Sequence, residues 1–309
     1  MAGGATSGGS AVTDTYKEAR NWLLLPAWIT LGFLVLAPVL LMLVYSFLTK
    51  EFRGGVIWEF SLAAYDQFFF DRGLFGDDPA QIEWTYIAIF WRSIWQAGVA
   101  TLLSLAIGFP TAYFIATRPE KQRVIWVFLI TIPYWVNLLI RTVSMRFLLR
   151  DEGPLNSFFM ATGLVDGPIH MINTNFAVQV GLFYSYLPFM VLPIYAAVER
   201  YNFTLSEAAA DLYANKWITL RHIVLPAVKP GVVAGCILVF VPSLGSFLAP
   251  DLLGGAKNFM IGSLIEEQFK GNAGNWPFGA AASMILLTMV LIILVIYARA
   301  QARSDKEAG

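Results

Sequence analysis

Cysteine occurs once, at Cys236, inside an apolar run. An internal disulfide is therefore excluded, and so is a cysteine-built metal cluster. Histidine occurs only at His170 and His222, far apart in the sequence and outside any ligand-spaced group, so no metal site is expected. The chain has no G-x-x-x-x-G-K-[ST] phosphate loop and no nucleophile elbow. No catalytic residue and no bound cofactor are assigned on that basis. Any energy source must be an ion gradient or a separate subunit that hydrolyses ATP. Charge is also scarce: 14% of the 309 residues are Asp, Glu, Lys or Arg, where soluble domains carry about 25%. The 21 basic and 21 acidic residues cancel, which removes any bulk attraction for nucleic acid.

What fills the chain instead is apolar surface. Hydrophobic residues make up 57% of it, and the mean hydropathy is +0.62. An apolar stretch of about 20 residues crosses a bilayer as a helix. Six such stretches stand out: Leu23–Leu48, Trp84–Ala116, Val124–Leu149, Phe176–Val198, Val232–Leu253 and Phe278–Ala298. The third is broken by Pro133, and the fifth by Pro242, Gly245 and Pro250. The expected architecture is an all-α polytopic membrane protein with one transmembrane domain over 22–300. Residues 1–21 are Gly-, Ser- and Thr-rich and read as a disordered cytosolic tail. They lack the charged-then-apolar layout of a cleaved signal peptide. Residues 301–309 read as a second tail.

Lys and Arg set the orientation. With the N-terminus inside, the inner segments hold 12: Lys17, Arg20, Arg118, Lys121, Arg123, Arg200, Lys216, Arg221, Lys229, Arg299, Arg303 and Lys306. The outer segments hold 6: Lys50, Arg53, Arg72, Arg150, Lys257 and Lys270. The bias places both termini and the long polar loop 200–231 in the cytosol.

That loop carries a helix-start signal, Thr204-Leu205-Ser206-Glu207, with capping-box spacing. Ala208, Ala209 and Ala210 follow, a strongly helical face of low bulk that lets another surface approach. Leu225-Pro226 and Pro230-Gly231 are expected to end the loop as breakers. The loop is either a docking knob or an ordinary connector.

Inside the spans, Arg92, Arg141 and Arg146 each cost roughly 2.5–3.5 kcal/mol at mid-bilayer. They lie toward the outer ends, where they either snorkel to the interface or line the mouth of a pathway. The helix breaks near Pro133, Pro242 and Gly245 need a cavity or neighbours to satisfy freed backbone groups, which favours transport over a static anchor. Ser243 and Ser246 either face such a cavity or bond to their own helix. No acid lies well inside a span, so an ATP-independent secondary transporter, the rival reading, lacks a coupling carboxylate.

The loop resembles the permease subunits of ATP-binding-cassette importers, which carry E-A-A, three residues, G, nine residues, I-x-L-P. Glu207-Ala208-Ala209 matches, and Ile223, Leu225 and Pro226 are in place. Tyr213 stands where the family has glycine. Further stretches are similar to the spermidine/putrescine branch: Gly108-Phe109-Pro110-Thr111-Ala112-Tyr113, Ile132-Pro133-Tyr134-Trp135, Leu139-Ile140-Arg141-Thr142 and Phe240-Val241-Pro242-Ser243-Leu244-Gly245-Ser246-Phe247. Many relatives have glutamate at the position of Ser246, and an acid there would suit a polyamine.

The resemblance implies a type I importer permease in a bacterial inner membrane, forming half of a pathway for a small-molecule solute. The solute is a polyamine or, as in other relatives, iron, a phosphonate or another organic solute. It implies a second permease, two ATPase subunits that use ATP and Mg, and a periplasmic solute-binding protein as partners. The docking residues would be Glu207, Ala208, Ala209, Ala210, Asp211, Tyr213, Ala214, Ile223, Leu225 and Pro226. The pathway candidates are Trp135, Arg141, Tyr184, Phe240, Ser243, Ser246 and Asp251.

Overall fold

The computed structural model describes residues 8–51, 55–71, 81–270 and 274–307. Helix α1 (Gly8–Tyr45) leads into a two-stranded antiparallel sheet, β1 (Leu48–Lys50) with β2 (Val56–Phe60). Helix α2 (Ala63–Phe69) and a second small sheet, β3 (Phe70–Asp71) with β4 (Gln81–Ile82), follow. These short strands depart from an all-helical expectation and lie between α1 and the next long helix, β1 taking Leu48 from the end of the expected first span. The long helix α3 is Trp84–Ala116, and α4 is Glu120–Trp135. Then come α5 (Leu138–Leu149), α6 (Pro154–Ala161) and α7 (Asn175–Glu199). Two short helices, α8 (Thr204–Asp211) and α9 (Lys216–Thr219), pass through a π-helical turn (Leu220–Val224) into α10 (Leu225–Leu244). A second π turn (Pro250–Gly254), a 3-10 turn (Ala256–Asn258), α11 (Ile261–Phe269) and α12 (Trp276–Glu307) complete the chain.

Among the described residues, five stretches are long and apolar enough to cross a membrane: Pro26–Tyr45, Trp84–Ala116, Asn175–Glu199, Lys216–Leu244 and Trp276–Arg299. A sixth arises if Glu120–Trp135 and Leu138–Ala161, bent by 90°, count as one span. The break falls at Val136–Asn137, while Pro133 lies inside α4. The chain turns where Asn137 caps α5 by accepting from the Leu139 N–H at 2.8 Å. Helix also extends beyond the apolar limits at both ends, from Gly8 and to Glu307. Residues 1–7 of the expected N-terminal tail and 308–309 of the C-terminal one lie outside the described residues.

The fifth span begins earlier than its apolar run. Leu225-Pro226 and Pro230-Gly231 do not end the loop; they sit in a helical path that is continuous from Lys216 to Leu244. The π turn makes this workable: the Leu225 N–H bonds to the Leu220 carbonyl, five residues back. Widening the ladder just before Pro226 accommodates a residue that has no donor. At the other end, Gly245 caps α10, so Pro250 lies in the separate second π turn.

Helices α3, α7 and α10 form the core. Along α3, Ala97, Ala100, Ser104, Gly108 and Ala112 are buried at three- and four-residue spacing. This small-residue face lets α7 approach closely, as is common between membrane helices. One core cluster joins Ala112, Ile115, Met190, Ile194, Val228 and Val239 of the three helices. In contrast, no residue of the α1 window is buried.

Candidate functional site

The loop after α7 is built from its aromatic anchors. Tyr201 is buried and Phe203 partly so; their rings meet edge to face at 5.2 Å, and Phe203 also meets Tyr113 of α3 at 6.5 Å. The Tyr201 hydroxyl and Ser206 hydroxyl lie 2.8 Å apart. The expected capping box does not form. Asn202 takes its place: its Oδ1 accepts from both the Thr204 N–H at 3.1 Å and the Thr204 hydroxyl at 2.7 Å. An Asx turn competes better here because it holds the hydroxyl that would have capped the helix.

Helix α8 presents Glu207, Ala208, Ala210 and Asp211 to the outside. Ala209 differs: it is 6% exposed and faces the chain's own interior. Its small size therefore serves internal packing and not an approaching surface. The helix closes with a Schellman motif, in which the Ala214 N–H bonds to the Ala209 carbonyl at 3.0 Å and the Tyr213 N–H to the Ala210 carbonyl at 2.9 Å. Tyr213 sits at the left-handed position with φ 58°, where a non-glycine residue costs about 1–2 kcal/mol. The bend expected of a glycine is thus kept by a tyrosine that is 98% exposed, beside Leu212 at 82%. Ile223 packs on the core cluster, while Leu225 and Pro226 are exposed. A groove of about 660 Å³ runs between α3 and the loop, lined by Pro110, Tyr113, Ala210, Ala214 and Lys216.

The second constellation lies at the bend of the third span. Arg141 is 5% exposed, so neither snorkelling nor an open-pathway position describes it. Its Nη2 donates to the Val136 carbonyl at 2.9 Å and the Tyr134 carbonyl at 3.3 Å, and its Nη1 donates to the Ser185 carbonyl of α7 at 3.4 Å. The guanidinium also lies 5.6 Å from the Tyr134 ring and 6.0 Å from the Tyr184 ring. The bend frees carbonyls at the C-terminal end of α4, where the helix dipole favours a cation. No described carboxylate pairs with Arg141, and its Nε has no hydrogen-bond partner among the described residues.

Of the other pathway candidates, Trp135 is 72% exposed and meets Phe128 edge to face at 5.5 Å. Tyr184 stands beside Arg141. Ser246 is half-buried, and nearby the Tyr186 hydroxyl donates to the Pro242 carbonyl at 3.3 Å. Phe240 is half-buried on α10, and Ser243 is buried with no hydrogen-bond partner for its hydroxyl among the described residues. Asp251 is apart from this group, 4.0 Å from Lys270, which also pairs with Glu266 at 2.9 Å. The hydrogen bond to Glu266 raises the Lys270 pKa above its ordinary value. Arg92 bonds to the Lys257 carbonyl, and Arg146 is exposed.

Sequence reasoning missed Tyr186, Ser185 and an amide cluster around the buried Gln96. In that cluster Gln96 Nε2 donates to Asn175 Oδ1 at 2.6 Å, and Gln179 Nε2 bonds to Gln96 Oε1. Two glutamines inside apolar runs were the available signal, since amides bond across membrane helices.

Residues 108–305 match the family described as "Binding-protein-dependent transport system inner membrane component". The chain is 40% identical over 282 residues to the spermidine/putrescine transport system permease protein PotB of Salmonella typhimurium (strain SL1344), covering 91% of this chain and 93% of that one. It is 39% identical over 280 residues to the protein of the same name from Escherichia coli (strain K12), covering 91% and 96%. A bacterial ABC transporter involved in importing the acidic polysaccharide alginate superposes with a TM-score of 0.65 at 17% identity, over 95% of this chain and 99% of that one, which shows a shared fold. With its apolar helices and matched sequence, the chain belongs to the binding-protein-dependent transport system inner membrane component family.

Proposed function

We propose that this protein is the transmembrane permease subunit of an ATP-driven importer for polyamines of the spermidine and putrescine class. The observation that carries the reading is the loop after α7: an anchored short helix whose exposed face ends in a Schellman bend carrying Leu212 and Tyr213. An exposed apolar knob rimmed by Glu207 and Asp211 suits a partner groove. The partner is the ATPase subunit, which uses ATP and Mg and approaches from the cytosol. Docking uses Glu207, Ala208, Ala210, Asp211, Leu212 and Tyr213, whereas Ala209 and Ile223 support them from behind.

A second permease completes the pathway, and a periplasmic binding protein delivers the solute to the opposite face. The pathway passes the bend of the third span and the end of α10. Trp135, Tyr184, Tyr186 and Ser246 contribute aromatic faces and hydroxyls, which attract organic cations without a buried acid. Closure of the ATPases shifts the helices between two states, and the solute biases that equilibrium only by binding the two unequally.

The test is uptake of labelled spermidine into proteoliposomes containing the complete complex and its binding protein, competed by putrescine, ferric iron and an anionic solute. ATP-dependent, saturable uptake that putrescine competes and Glu207→Arg abolishes is expected. Uptake of another solute with the same Glu207 dependence retires the polyamine reading alone. Uptake indifferent to ATP overturns the importer.

A further inference from the structure

Helix α4 contains no buried residue. Only Val127 and Ile130 reach the edge of the core cluster. Core packing therefore does little to fix its position against α7. Two polar attachments stand at opposite ends of the helix instead.

The first is at the start of α4, where Arg123 Nη1 lies 3.5 Å from Glu199 Oε1, on the last residue of α7. Both partners are held in place. Arg123 Nε donates to the Arg118 carbonyl at 2.5 Å, and the Tyr195 hydroxyl, one turn back on α7, donates to Glu199 Oε1 at 2.7 Å. The second is Arg141, just past the end of α4, which grips the Tyr134 and Val136 carbonyls and reaches the Ser185 carbonyl of α7. The Tyr134 ring reinforces it by meeting Phe189 edge to face at 5.0 Å. Ser185 and Glu199 are fourteen residues apart on α7, about 21 Å along the axis at 1.5 Å per residue.

We propose that Arg141 and the Arg123–Glu199 pair pin α4 to α7 at two points, so that the two helices form one lever carrying motion of the docking loop to the bend of the third span. A single pin allows α4 to swing about the contact; two pins this far apart do not. Glu199 immediately precedes the docking loop, so a displacement of that loop enters the lever at its lower pin. The upper pin lies where the third span turns by 90°. Arg141 binds the carbonyls that the bend itself frees, so the contact that stabilises the bend also fastens it to α7. Arg141 acts through these groups and is a positioning residue for transport. The inference rests on the importer reading above.

The experiment measures ATP hydrolysed and labelled spermidine taken up by the same proteoliposomes, giving ATP consumed per solute moved. With Arg141→Gln the ratio rises several-fold. With Arg141→Lys the rise is smaller, because the charge remains while the fork that spans two carbonyls is lost. At the exposed lower pin, Arg123→Glu and Glu199→Arg each raise the ratio, and combining them restores it, which a general loss of structure does not do. An unchanged ratio in the single variants, or no restoration on combining them, overturns the lever. If Arg141→Gln prevents assembly, the lower pair alone decides. ATP-driven uptake with unchanged ratios sinks the lever and spares the importer reading, whereas uptake indifferent to ATP in the unaltered complex sinks both.

Discussion

Gly231 of α10 lies against Pro193 of α7 so closely that a Cβ at position 231 falls 2.7 Å from the Pro193 carbonyl oxygen, and closer still to the Ala197 methyl. Gly235, one turn on, faces Met190 in the same way, with its Cβ position 2.9 Å from Sδ. The pair forms a G-x-x-x-G contact that brings two backbones together. Gly231→Ala gains about 1 kcal/mol of helix propensity but forces the helices apart at a cost of roughly 1–3 kcal/mol. The backbone oxygen cannot rotate away, so the loss wins. A lower midpoint of thermal unfolding in detergent is expected for Gly231→Ala. A smaller drop is expected for Gly235→Ala, because the Met190 thioether is flexible.

Asn202, and not the Thr204 hydroxyl, satisfies the first backbone N–H of α8. Asn202→Ala removes an acceptor that serves two donors and costs about 0.5–2 kcal/mol. Thr204→Ala leaves the backbone contact intact and costs less. Amide hydrogen exchange across α8 separates the two: protection falls strongly for Asn202→Ala and little for Thr204→Ala. The reverse order would restore the capping box.

Neighbouring alanines in α8 have different tasks. Ala209 is buried and Ala208 is exposed. Ala209→Leu overpacks the chain's own interior and lowers stability by about 1–3 kcal/mol. Ala208→Leu leaves the unfolding midpoint of the isolated permease unchanged and weakens co-purification of the ATPase. Equal loss of stability in both variants would contradict the assigned faces.

Tyr213 holds a left-handed backbone conformation. Tyr213→Val places a β-branched residue there and destabilises the loop by about 1–2 kcal/mol. Tyr213→Gly relieves the strain, offset by roughly 0.4–1 kcal/mol from the more flexible unfolded chain, so stability is held or slightly raised. ATPase recruitment by Tyr213→Gly falls, since the exposed ring is lost. Exchange protection of the Ala214 N–H reads the first effect, and a pull-down reads the second.

Much of this protein is legible in one dimension. Apolar runs of bilayer length specify spans because a backbone in lipid must satisfy its own hydrogen bonds. Trp84–Ala116 agrees with the helix to the residue, and Phe176–Val198 and Phe278–Ala298 fall within theirs. The Ala208–Ala210 run likewise falls in a short helix, α8, outside the spans. These are local properties, set by residue type and separation along the chain.

Other properties depend on what comes near in space. Pro226, Pro230 and Gly231 look like breakers, yet a π turn and a close crossing with α7 keep them in one helix. The third span bends at Asn137 and not at Pro133, because Arg141 is there to satisfy the freed carbonyls. Ala208 and Ala209 are the same residue with opposite fates, decided by which side of α8 faces the chain's interior. Sequence alone determined which stretches are apolar enough to cross a membrane, though not every boundary. The tertiary structure decided which turns open, which side chains are buried and which helices are tied together, since those depend on neighbours supplied from distant parts of the chain.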